Sequence, residues 1–208
     1  MCRLFAYKGQ SGGGKYLRQF SEQCRISKEY QGDGWGIRYY QGGRWKYHKE
    51  LTPVWDADLS KYSKATVILA HARSASFDDL PDIESNMPFE TDRFSFVFNG
   101  ELRGVRLKVP GKTGAEKLFR FILNFYTGNI EEAINKALPI IMKRVDYIRA
   151  LNFIILDKPY GRFYCFSTFS EDQDYFSMHK YDREITLLSS DRLTHKQTEL
   201  RTNRLDVS

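Results

Sequence analysis

Apolar residues recur at two different periods along this chain, and the changes of period mark out strands and helices. RLFAYK at 3–8 is a short apolar run that ends at the turn-forming stretch GQSGGG, and it predicts a buried strand. From Lys15 to Ile26 the spacing lengthens, so that Leu17, Phe20 and Cys24 share one helical face. Cys24 is thereby assigned to a core rather than to a reactive surface. Residues 35–41 and 44–50 predict a hairpin turning at Gly42-Gly43. ATVILAHAR (65–73) and RFSFVFN (93–99) predict two further buried strands, each running into polar residues. Helices are predicted over 113–127 and 129–144, with Gly128 as the stop signal between them. Strands return at 150–157, 161–168 and 184–190, and the polar sequence after Asp191 predicts a loosely held end.

The order is strands, then a helix pair, then strands. A doubly wound parallel sheet needs regular alternation of strand and helix, so an α+β protein with largely antiparallel sheets is the better reading. No repeat and no Pro/Gly/Ser-rich linker divides the chain.

Composition narrows the function classes. With 41% hydrophobic and 15% aromatic residues among 208, the chain can bury a real core. The net charge of +6 is scattered through segments such as GGRWKYHKE and MKRVDYIRA, which reads as a solvated face. A tyrosine-rich, basic RNA-binding module is a weaker reading because its aromatics are not clustered. The three cysteines, Cys2, Cys24 and Cys165, have neither disulfide-framework nor zinc spacing. No apolar run approaches signal-peptide or membrane-span length, so a reducing cytoplasm is the expected setting, with no membrane, metal or cofactor implied.

Two stretches carry candidate chemistry. Removal of Met1 is expected, because the Cys2 side chain is small, and would leave Cys2 with a thiol and a free α-amine on one residue. Such an amine has an unperturbed pKa of roughly 7.7–8.0, so it can take the thiol proton and later return it to a leaving amine. By itself, a cysteine at position two reads better as an incidental residue. The second stretch is GQSGGGK, where Gly9, Gly14 and Lys15 match most of a phosphate-binding loop. FIILD at 153–157 resembles the strand that ends in a magnesium-positioning Asp. Tyr16, however, stands where that loop needs Ser or Thr, and GKT at 111–113 fails because Arg106 occupies the first glycine position.

The company of Cys2 decides between its readings. MCRLFAY, GDGWGI, LAHARSAS, NMPFE, FVFNGEL and GKTGAE occur in the order found in class-II glutamine amidotransferases, and LNFIILD and ITLLSSDRLT resemble that family's late strands. The chain most resembles compact, free-standing members that begin Met-Cys-Arg. The resemblance covers residues 1–194 as one domain and leaves 195–208 as a polar C-terminal tail. It implies the four-layer αββα sandwich of N-terminal-nucleophile hydrolases, with two mainly antiparallel sheets.

Residue by residue, the resemblance makes Cys2 the nucleophile that forms a thioester with a glutaminyl carbonyl. The Asn99 side chain and the Gly100 N–H become the oxyanion hole. The substrate carboxylate falls to Arg73, whose planar fork suits two parallel hydrogen bonds, with Ser74 and Ser76 beside it. His71 is read as a structural hydrogen-bonder. The family's partner would be a small amide substrate, with a separate ammonia-accepting enzyme where ammonia is delivered.

Three segments depart from the family pattern. Gly114 and Ala115 stand where an Asp and a Ser are usual, and that Asp holds the substrate's ammonium. Glu116 is the candidate replacement. Ser85 and Met87 stand at the Asn and His of Asn-x-His-Pro-Phe, and Phe98 at a common His. Glutamine, a γ-glutamyl amide with a modified or absent amine, and a catalytically degenerate site are therefore all open readings.

Overall fold

A computed structural model describes residues 1–75 and 82–208. In chain order the elements are β1 (Arg3–Lys8), α1 (Gly13–Arg25), β2 (Trp35–Gln41), β3 (Arg44–Glu50), β4 (Val67–Ala72), β5 (Phe89–Glu90) and β6 (Phe94–Arg103). There follow α2 (Gly114–Leu123), α3 (Ile130–Lys143), β7 (Tyr147–Asp157), β8 (Arg162–Ser167), α4 (Gln173–Phe176), β9 (His179–Asp182), β10 (Thr186–Ser189), β11 (Thr198–Glu199) and β12 (Arg204–Val207). A seven-stranded sheet has the order β11-β9-β10-β1-β4-β2-β3, and a five-stranded sheet the order β12-β8-β7-β6-β5. Every named strand pair in both is antiparallel.

Alternation along the strands builds four layers. Phe5, Tyr7, Ile68 and Ala70 pack with Leu17, Phe20 and Cys24 of α1 on one face of the larger sheet. Their strand neighbours Leu4, Ala6, Val67 and Leu69 turn the other way, into the core shared with the smaller sheet. On the far face of the smaller sheet, Phe96 stacks on Phe119 of α2 at 4.9 Å, and α3 completes that layer through Ile134 and Ile141. The result is an αββα sandwich of two antiparallel sheets, as expected from the sequence.

Several expected boundaries moved. The second predicted helix stops at Leu123 because Phe125 and Tyr126 bond back three residues, tightening the chain into turns. β7 starts at Tyr147 because β6 continues past a register shift at Glu101/Leu102 and keeps pairing with it. The end expected to be loose is tied down. β12 pairs with β8, β11 pairs with β9, and the side chains of Leu205 and Val207 pack against the main core. A four-residue edge strand needs only two inward apolar positions, too few to show as a period.

Candidate active site

The start of the chain is fixed from far along the sequence. Arg3 is 4% exposed; it donates to the Tyr175 carbonyl at 2.8 Å and pairs with Asp191 at 3.1 Å. Its guanidinium also lies 3.8 Å from the centre of the Tyr175 ring. These contacts hold Cys2, just before β1, on a cleft of about 560 Å³ whose lining includes Ser74 and Gly100. The Cys2 thiol donates to the Ser74 carbonyl at 3.8 Å. Desolvation raises its pKa above the ordinary thiol value, against the pull of the terminal amine and of Arg73. The sulfur therefore rests protonated at neutral pH and needs a base to become a nucleophile. A larger cavity, about 720 Å³, opens at the other end of β1 around Lys8, Lys158 and Arg183, away from these residues.

The Asp-Gly-Trp-Gly loop shapes the surroundings of Arg73, which is not among the residues lining the Cys2 cleft. Asp33 accepts from the Ala75 N–H at 2.8 Å, and the Arg73 N–H donates to the Gly34 carbonyl at 2.8 Å. A Cβ at Gly36 would lie 2.2 Å from the Met87 carbonyl oxygen, so only glycine allows that approach. Arg73 is 7% exposed, and one of its terminal nitrogens donates to Asn86 Oδ1 at 3.4 Å and to the Asp82 carbonyl at 3.3 Å. Asn86, fully buried, is held in turn by its donation to the Glu50 carbonyl at 2.7 Å. The Arg73 head is thus braced from behind. Ser76 lies outside the described residues.

Asn99 and Gly100 sit on β6 opposite Asn152 and Leu151 of β7. A Cβ at Gly100 would fall 2.0 Å from the Ala150 carbonyl oxygen, which explains glycine there. Asn99 is fully buried, yet neither its Oδ1 nor its Nδ2 has a hydrogen-bond partner among the described residues. Asn152 alongside is satisfied: it donates to the Phe176 carbonyl at 2.7 Å and accepts from Ser167 at 2.8 Å. Buried amides without partners are rare and cost stability, and this one is next to Gly100, which lines the cleft.

One expectation needs correction. Glu116 does not line the Cys2 cleft. It accepts from the Lys112 N–H at 2.7 Å and from Arg120 at 2.7 Å, while its own N–H donates to the Thr113 hydroxyl at 3.1 Å. Thr113-x-x-Glu116 is a helix-capping arrangement, so the carboxylate serves the start of α2. His71 is fully buried beside the Phe98 backbone, whose hydrogen bonding favours the charged ring, and neither ring nitrogen has a close partner among the described residues. Burial, then the charges of Arg73 and Lys49, push its pKa down to about 3, so it is a neutral ring at neutral pH.

The phosphate-loop geometry is not built. β1 has antiparallel neighbours on both sides, and Gly13 and Gly14 are buried, with Ala65 and Ser63 backbone atoms close against them. No open cradle of backbone N–H groups is left there.

Comparison with known proteins bears on the fold. No protein-family model matches the chain. YafJ of Escherichia coli (strain K12), provisionally named a glutamine amidotransferase, is 24% identical over 155 residues, which is 64% of this chain and 60% of YafJ. The glutamine phosphoribosylpyrophosphate amidotransferase of B. subtilis superposes with a TM-score of 0.71 at 16% identity, over 99% of this chain and 47% of that one. A glutamine aminotransferase class-II domain protein of Silicibacter pomeroyi gives 0.62 at 17% identity, over 99% and 94% of the two chains. This is the class-II glutamine amidotransferase fold.

Within the class-II fold, four of the five departing residues line the cleft, and Ser85 does not. Met87, Phe98, Gly114 and Ala115 line it together with Leu102 and Val105. A Cβ at Gly114 would meet nothing within 4 Å, so the position opens on free space. The acidic lining residue is Glu101, and it faces Arg103 at 2.6 Å and Arg149 at 3.7 Å. Met87 keeps a structural task, since its sulfur accepts from the Phe98 N–H at 3.2 Å. The motifs passed over Gln31 and Tyr175, which contact residue 1 directly. Only Asp-Gly-Trp-Gly, two residues after Gln31, pointed near them.

Proposed function

We propose that the chain is an N-terminal-nucleophile amidohydrolase in which Cys2, freed by removal of Met1, opens a glutamine-type side-chain amide. The observation that carries this reading is the buried, unpartnered amide of Asn99, directly before Gly100, which lines the same cleft as Cys2. The Cys2 α-amine takes the thiol proton as Sγ bonds to the amide carbon. The carbonyl electron pair moves to oxygen, where Asn99 Nδ2 and the Gly100 N–H receive it. A preorganised donor of this kind contributes about 2.7–4 kcal/mol to the transition state. The tetrahedral intermediate expels the amide nitrogen, which leaves as ammonia with the proton from the α-amine. Water then attacks the thioester, releasing a carboxylic acid and restoring the thiol.

Arg73, with Ser74 and Ser76, is the proposed clamp for the substrate's carboxylate. The apolar lining from Met87 to Ala115 and the engagement of Glu101 by arginines favour a γ-glutamyl amide whose amine is modified or absent over free L-glutamine. A charged ammonium placed there would lose a hydrogen bond worth roughly 1.5–3 kcal/mol. A separate ammonia-accepting enzyme is the proposed recipient where ammonia is delivered.

The test is ammonia release from L-glutamine and from glutaramate, its amine-free analogue, by the wild-type protein and by Cys2→Ala. Release that depends on Cys2 supports the reading. Release unchanged in Cys2→Ala, or none from either amide, defeats it.

A further inference from the structure

We infer that Gln31 and Tyr175 are positioning residues for the α-amine of Cys2, the group that must move the proton. The inference rests on the amidohydrolase reading above and adds to it the side chains that aim the base. Gln31 is fully buried, and its Nε2, with two protons to donate, lies 2.6 Å from the Met1 carbonyl, 2.9 Å from the Glu29 carbonyl and 3.1 Å from the Tyr175 hydroxyl. The Tyr175 hydroxyl donates to the same Met1 carbonyl at 2.7 Å. The Met1 amine pairs with the Glu29 carboxylate. Gln31 Oε1 is buried with no partner.

Two side chains from distant parts of the chain thus converge on the one peptide group that processing cuts. When Met1 leaves, its carbonyl goes, and the Cys2 nitrogen becomes an amine with N–H groups to place. Half a turn of the Gln31 amide presents Oε1 to that amine, and the Tyr175 oxygen can accept as its proton rotates away. An amine held on two sides keeps its remaining lone pair in one direction, and aim is what proximity catalysis needs. Arg3 locks Tyr175 from behind through its carbonyl and its ring. Other charges facing this corner are Glu29 with its partner Arg149, and Asp33 and Arg73 on the thiol side. They are unchanged in the variants below.

Acceptors aimed at an amine favour its charged form, so removing them lowers its pKa. Wild-type protein made in cells is first checked for loss of Met1 and for labelling by a diazo-ketone glutamine analogue. Failure there overturns the amidohydrolase reading and this inference with it. Gln31→Leu and Tyr175→Phe are then compared for kcat and KM against pH, with Gln31→Glu as the conservative variant that keeps an acceptor. The expected result is a loss in kcat of about tenfold or more with little change in KM, and an ascending limb moved to lower pH. Gln31→Glu should recover most of the rate and move the limb the other way. Should Gln31→Leu fail to fold, Tyr175→Phe and Gln31→Glu carry the test. Folded variants with the wild-type limb and wild-type kcat would overturn the inference while leaving Cys2 as nucleophile.

Discussion

Asn99 and Asn152 face each other across β6 and β7 with the same side chain, yet opposite effects are expected on shortening them. In Asn152→Ala the Phe176 carbonyl and the Ser167 hydroxyl both lose their partner in a fully buried place. Orphaned buried groups cost about 1–3 kcal/mol each, so a loss of roughly 2–4 kcal/mol of stability is expected. In Asn99→Ala no hydrogen bond is lost, because neither amide atom has one. Removing two unsatisfied atoms is favourable by a similar range, and the small cavity left takes back about 1 kcal/mol. The net expectation lies between no change and a gain of about 2 kcal/mol. Activity should do the reverse: Asn99→Ala should lower kcat by about 10²–10³, the effect of losing one oxyanion donor. Urea unfolding with unchanged m-values gives the first quantity, and ammonia release gives the second. An Asn99→Ala protein that is destabilised as much as Asn152→Ala, or that turns over normally, would refute the reasoning.

Three further outcomes follow from particular contacts. With a pKa near 3 in the folded protein against 6.5 for a free imidazole, His71 gives the unfolded chain the extra proton between those values. Stability should therefore be level on this account above pH 6.5 and fall below it, by up to about 1.4 kcal/mol per pH unit. His71→Leu should flatten that slope, and parallel urea-midpoint curves for the two proteins would contradict it. Gly114→Asp places a carboxylate in open space in the first turn of α2. It should stabilise the helix by about 0.3–1 kcal/mol and lower KM for L-glutamine but not for glutaramate. Gly100→Ala sets a methyl on the Ala150 carbonyl and should cost roughly 1–3 kcal/mol in thermal unfolding.

Legibility in the sequence followed the length of each pattern. The β2–β3 hairpin was readable to the residue because seven-residue strands flank Gly42-Gly43. Cys24 was readable as core because its spacing from Leu17 and Phe20 is helical. The pieces β5, β9, β11 and β12, of two to four residues, were not, since so few positions carry no period. Glu116 was misread although Thr113-x-x-Glu116 already spelled a cap, a local signal that outranks a distant substrate contact. Gln31 and Tyr175 were invisible for another reason: they meet residue 1 only after the chain has closed on itself, 30 and 174 positions away.

The central claim is that one residue both attacks the amide and carries the proton. Intact mass of protein purified from cells, before and after the diazo-ketone glutamine analogue, tests it most directly. The expected spectrum lacks one methionine, gains a single adduct, and shows no adduct in Cys2→Ala. A chain that keeps Met1 while still hydrolysing the amide would contradict it.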